Sequence, residues 1–258
     1  MFLSKRKKFV FIAVVLSVGF VGINFLSDQY RFLAIGGLTA LTTIFFVWSL
    51  WEGLGRNATL LTLILPTLFT LGVGLFWFLL PAVVIARLPV VFLYGMGIYA
   101  LCLTANIYTV SAVRTIALMR AAKGVGFVLT LLTGFLLYDA VLSIKSPIWI
   151  SVPIVFLASF PLFLQGIWVS DLKQSISQRI IVNSAIFSLG LAQIASLLYF
   201  WPVTVVVGSL FLTVGMYILL GLGQAQEEGR LFRQTVREYI TVGLVVFIAM
   251  FLATRWGG

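Results

Sequence analysis

Six polar side chains stand inside long apolar runs of this chain: Asn24, Asn106, Asp139, Gln165, Asn183 and Gln193. Asp139 is the only acid so placed. A carboxyl group in such a run is costly to ionise, so two chemistries compete for it. It binds a proton or a cation in a cavity between helices, or it is an interfacial acid near a base. The nearest base along the chain is Lys145, six residues further on. That offset is roughly 9 Å of helical rise and does not share a helical face, so direct pairing needs the helix end to loosen before Pro147. Asn106, Gln165 and Asn183 fall near the ends of their runs on the other side of the membrane, while Gln193 lies closer to the Asp139 side. Amides of this kind hydrogen-bond between helices or line a polar cavity. The candidate polar cavity is therefore Asp139, Asn106, Gln165, Asn183 and Gln193.

Other chemistry is excluded by what the sequence lacks. There is no histidine, so no mechanism can rest on an imidazole base or ligand. The single cysteine, Cys102, sits mid-run and reads as a small buried apolar group; it allows neither an internal disulfide nor a thiolate cluster. No second deep acid accompanies Asp139, no phosphate-binding loop is present, and Asp28 occupies a loop of only a few residues. An enzyme is disfavoured, and no metal or cofactor is expected.

The elements that must hold these groups follow from composition. The chain has 258 residues, 62% of them hydrophobic and 9% charged. A water-soluble domain needs far more charge to cover its surface. A membrane helix needs about 20 apolar residues. Nine runs meet or approach that length: Phe9–Leu26, Phe32–Trp51, Leu60–Leu80, Leu88–Thr109, Gly124–Ile144, Ile148–Val169, Ile180–Tyr199, Pro202–Leu222 and Tyr239–Thr254. The expected fold is all-α: a polytopic membrane bundle of nine transmembrane helices, one integral membrane domain over residues 1–258. The first run follows a basic stretch but ends Asn24-Phe25-Leu26-Ser27, with no small-x-small cleavage pattern, and reads as an uncleaved anchor. Pro66 and Pro161 are candidate kinks.

Orientation follows from the basic residues. With the N-terminus in the cytoplasm, thirteen of the 17 Lys and Arg residues fall on the inner side and four (Arg31, Arg87, Lys145 and Arg255) on the outer side. This asymmetry predicts an N-in, C-out topology in the cell membrane, in a bacterium the inner membrane. The net charge of +10 then speaks for anionic lipid at the inner leaflet, contacted by Arg114, Arg120, Lys123, Arg230, Arg233 and Arg237, and not for nucleic acid. Arg230, Arg233 and Arg237 share one face of Gly229–Tyr239, a segment that reads either as an interfacial helix or as an ordinary basic loop. All seven tryptophans lie at or near run ends, where indole favours the headgroup zone.

Small residues mark where helices can approach. Ser184, Ser188, Ala192 and Ser196 recur every four residues, as do Gly126, Thr130 and Gly134; Gly36 and Ala40 form a shorter pair. These stripes serve internal packing or the face of a homo-oligomer.

The stretch Asn106–Phe127, NIYTVSAVRTIALMRAAKGVGF, resembles a group of uncharacterised multi-pass membrane proteins of candidate-phylum bacteria. The resemblance implies a membrane fold and carries no activity. Two functions remain: a small transporter or lipid-handling permease, supported by polar residues and by glycine and proline breaks within runs, and a structural or partner-binding membrane subunit, supported by the sparse polar inventory.

Overall fold

The computed structural model describes residues 4–23, 25–26, 28–51, 53–54, 58–81, 84–111, 118–172 and 175–254. Each of the nine apolar runs overlaps one α-helix, and the described residues contain no strand. The helices are α1 (Lys5–Ile23), α2 (Asp28–Leu50), α3 (Ile64–Trp77), α4 (Val84–Ser111), α5 (Met119–Ser143), α6 (Ile148–Asp171), α7 (Gln178–Tyr199), α8 (Val205–Glu227) and α9 (Arg233–Ala253). A 3-10 helix over Ala58–Leu63 leads into α3. Among the described residues eight helices, α2 to α9, are long and apolar enough to cross a membrane, with α3 counted from Leu60. The first helix falls outside that set because Lys5, Arg6, Lys7 and Lys8 take up its first turn.

Several local expectations change. Pro66 lies in the first turn of α3, just after the 3-10 helix, where a missing amide hydrogen costs little. Pro89, Pro153 and Pro161 are the prolines within helices. The segment Gly229–Tyr239 forms no separate interfacial helix. Gly229, at φ +67°, ends α8, with Arg230 N–H donating to Ala225 O at 2.8 Å; α9 then starts at Arg233 and runs unbroken through Tyr239. Residues 112–117, between α4 and α5, lie outside the described residues.

The chain divides into two compact units, Met1–Thr133 with Leu172–Ser175, and Gly134–Asp171 with Ile176–Gly258. In the first, α1 packs on α2 and α4, and α2 packs on α3. Its core is aromatic: the Phe20 ring lies 5.2 Å from Trp77 and 4.8 Å from Tyr94. A hydroxyl chain crosses this core. Thr42 Oγ1 and Thr70 Oγ1 are 3.1 Å apart, and Thr70 Oγ1 and Tyr94 OH are also 3.1 Å apart, which links α2, α3 and α4. Thr42 also returns a bond to Leu38 O, so the hydroxyl is satisfied away from water. Gly36 and Ala40 are exposed, because α2 turns Ile35, Leu38 and Thr42 inward instead.

In the second unit α6 and α7 form the main hairpin, α8 packs on both, and α9 packs on α8. Ser184, Ser188 and Ala192 are buried, and the two serines donate back to Ile180 O and Ser184 O at 2.7 Å. That satisfied, narrow face lets α7 sit close to its neighbours. Gly166 and Gly223 face Leu220 and Phe187, leaving room where a Cβ would collide. Tryptophan placement is mixed. Trp51 and Trp149 are exposed, in keeping with an interfacial role, but Trp77 and Trp168 are wholly buried, spent on packing rather than on headgroups. Trp201 donates from Nε1 to Thr254 Oγ1 at 2.9 Å and anchors the far end of α9.

Candidate functional site

Asp139 lies on the last third of α5, only 4% exposed. The hydroxyl of Ser209, in the second turn of α8, donates to its Oδ1 at 3.1 Å. The preceding residue, Tyr138, is fully buried; its OH lies 2.8 Å from Ser159 Oγ on α6 and also reaches Met216 Sδ on α8. Consecutive residues on a helix point about 100° apart, so this one turn of α5 engages α6 through Tyr138 and α8 through Asp139. Gly134, one turn back, is the flat spot against which Met216 rests. No ion pair joins Asp139 to Lys145 among the described residues. Lys145 is exposed in a left-handed turn (φ 49°) that closes α5.

Immediately outside this pair the second unit holds a cavity of about 270 Å³. Its walls come from the turn after α5 (Lys145, Ser146), the first turn of α6 (Ser151), the end of α7 (Tyr199) and the start of α8 (Thr204, Gly208). Leu142 and Gly208 belong to its lining, and an added Cβ on Gly208 would meet Leu142 Cδ1 at 3.2 Å. Asp139 is three residues before Leu142, roughly 4–5 Å deeper along α5, and Ser209 is the residue after Gly208, about 1.5 Å deeper along α8. The cavity is polar on one side: Ser146 Oγ and Ser151 Oγ are 2.7 Å apart, and Ser151 also donates to Ser146 O.

The other sequence candidates lie elsewhere. Gln165 is buried on α6 and Asn183 half-buried on α7, near the opposite end of the α6–α7 hairpin. Gln165 Oε1 and Asn183 Nδ2 have no hydrogen-bond partner among the described residues. Gln193 is exposed on α7, on the face away from Leu191, Ala192 and Ala195. Asn106 is half-buried on α4, in the first unit. Arg120, Arg230, Arg233 and Arg237 are exposed and Lys123 half-exposed; Arg114 lies outside the described residues.

The sequence reading misses Glu227. The apolar run ends at Leu222, but α8 continues to Glu227. That carboxylate is 10% exposed and stands 3.5 Å from Arg179 Nε of α7. Gln224, one turn earlier on the same face, donates to Gly166 O of α6 at 2.8 Å. The three-residue spacing of Gln224 and Glu227 is the signal that marks a face turned to other helices.

The match to known families covers both units. A family model described as a protein of unknown function (DUF5656) matches residues 12–253, from within α1 to the end of α9. The chain belongs to the DUF5656 family. No curated protein and no solved structure matches it. The DUF5656 span includes Asp139, Ser209 and every residue lining the cavity beside them.

Proposed function

We propose that this DUF5656 protein is a multi-pass membrane permease that handles lipid headgroups, with the Lys145 cavity as its entry site and Asp139 as a proton-binding station beneath it. The observation that carries this reading is the position of a buried carboxylate, held by Ser209, one turn below a polar cavity at the ends of four helices. A carboxyl there can take up a proton while a charged headgroup leaves water, which limits the charge moved into a low-dielectric interior. In this reading α1 is the ninth span, its lysines reaching back to the interface, and the N-terminus is cytoplasmic. Arg120, Lys123, Arg230, Arg233 and Arg237 then meet anionic lipid at the inner leaflet of the cell membrane.

The test is reconstitution into vesicles carrying phosphatidylglycerol with a fluorescent headgroup-proximal tag. A membrane-impermeant reductant should bleach inner-leaflet label only when the protein is present. Asp139→Asn should fold normally and lose this flux. Protein-containing vesicles that protect their inner leaflet as well as empty ones would refute the permease reading.

A second reading, a partner-binding membrane subunit, is favoured by α9. Met250 is its one buried residue within the helix. Co-purification of a stoichiometric membrane partner that covers α9, together with absence of lipid flux, would support it.

A further inference from the structure

We infer that the Lys145 cavity is a binding site for a phosphate-bearing anion, the headgroup of an anionic phospholipid. This deepens the permease reading by naming the chemical class, and it can stand or fall separately.

The cavity is walled by two chain segments remote in sequence, 142–152 and 195–208, the second of which includes the turn between α7 and α8. Its lining contains one charged side chain, the ammonium of Lys145, and no carboxylate. Four hydroxyls accompany it, from Ser146, Ser151, Tyr199 and Thr204. Ser151 is 7% exposed, so its hydroxyl belongs to the wall and not to the outer surface. Hydroxyls can turn to donate to phosphate oxygens, and an ammonium supplies the charge.

The backbone adds to the same sign. Helix α8 begins at Val205, which lines the cavity. The opening amides of a helix lack intrahelical partners and carry partial positive charge. On α8, Thr204 caps Val207 N–H, which leaves the two amides before it directed out of the helix start. One such start, an ammonium and four hydroxyls around one concavity favour an anion over a cation or a neutral solute. The one acid nearby, Asp139, lies deeper, with Oδ1 engaged by Ser209.

Size and position select the source. About 270 Å³ is just below the roughly 300–1,000 Å³ of sites for drug-sized ligands, which suits a headgroup and not a whole lipid. Trp149, in the first turn of α6, is 74% exposed, and Phe200, which follows the lining residue Tyr199, is 77% exposed. Exposed aromatics at helix ends mark the headgroup level, where acyl chains can stay in the bilayer while the phosphate enters.

The experiment is a thermal-shift titration of the full-length protein in a neutral detergent. The probes are dihexanoyl phosphatidylglycerol, dihexanoyl phosphatidylcholine and sn-glycerol 3-phosphate; the proteins are wild type, Lys145→Arg and Lys145→Asn. Asparagine tolerates the left-handed backbone at this exposed position, so folding should persist, and the unliganded midpoint verifies it. A ligand that binds the folded state raises the midpoint with concentration. Phosphatidylglycerol should stabilise wild type and Lys145→Arg, with at least a tenfold weaker apparent affinity for Lys145→Asn and a smaller effect of phosphatidylcholine. An equal response to glycerol 3-phosphate would keep the phosphate site and assign it a water-borne ligand. No shift with either anion, or the same shift in Lys145→Asn, overturns the inference. Binding without vesicle flux would refute the permease and leave this site intact; flux without Lys145-dependent binding would do the reverse.

Discussion

Ser209 donates its hydroxyl hydrogen bond to Asp139 Oδ1 at 3.1 Å, tying α8 to α5 across 70 residues of sequence. The bond accounts for how an acid can lie 4% exposed within an apolar helix. Interhelical bonds of this type contribute about 0.6 kcal/mol on average and up to about 1.7 kcal/mol. Ser209→Ala should therefore lower the thermal midpoint in detergent by a small but measurable amount. Combined with Asp139→Ala, which removes the acceptor, its effect should be less than additive, because the two share one interaction. Strictly additive losses would show that the bond contributes nothing.

Replacing Ala192 with Leu should destabilise the second unit. Ala192 is 3% exposed on the close face of α7, so three extra carbons have no vacant space. Overpacking of this kind costs about 1–3 kcal/mol. A chemical or thermal melt as stable as wild type would mean that α7 can shift without loss.

Gly74 on α3 faces Ile35 on α2, and a Cβ there would lie 2.5 Å from Ile35 Cγ2. That carbon is close to the backbone and cannot swing away. Gly74→Ala should reduce stability by about 1–3 kcal/mol, and Ile35→Ala in the same chain should recover part of the loss relative to either change alone. Melting curves of the two single variants and the double variant test this coupling.

The proposed nine-span, N-in topology predicts which loops an impermeant maleimide can reach in intact cells. Cys102 is wholly buried, so the native background should stay unlabelled. Single cysteines at Phe25 and Phe200 should label from outside, and those at Ser4 and Ser175 only after permeabilisation. Labelling of Ser4 and Phe25 on the same side would remove α1 from the set of spans. Labelling of Ser175 and Phe200 on the same side would do the same for α7.

Much of the architecture is local and so is present in the sequence. Transfer into lipid is decided residue by residue, so summed hydropathy finds Ile148–Asp171 and Gln178–Tyr199 to within two residues, while the polar ends of α5, α8 and α9 run five or six residues past the apolar runs. The four-residue stripe of Ser184, Ser188 and Ala192 identifies a packed face, because only small side chains let helices approach without a hydrophobic drive. The uniqueness of Asp139 among the runs is equally plain. Which way most helices face is not. Lipid is as apolar as the space between helices, so an apolar side chain carries no mark of whether it is inside. That is why Gly36 and Ala40 are exposed while Trp77 and Trp168 are buried, and why Gln193 lies on an outer face. The α8 continuation that brings Glu227 to Arg179, and the cavity built from Lys145, Ser151, Tyr199 and Thr204, depend on segments far apart in the chain. Only tertiary packing brings them together, because no short-range pattern of sequence fixes which helix end meets which.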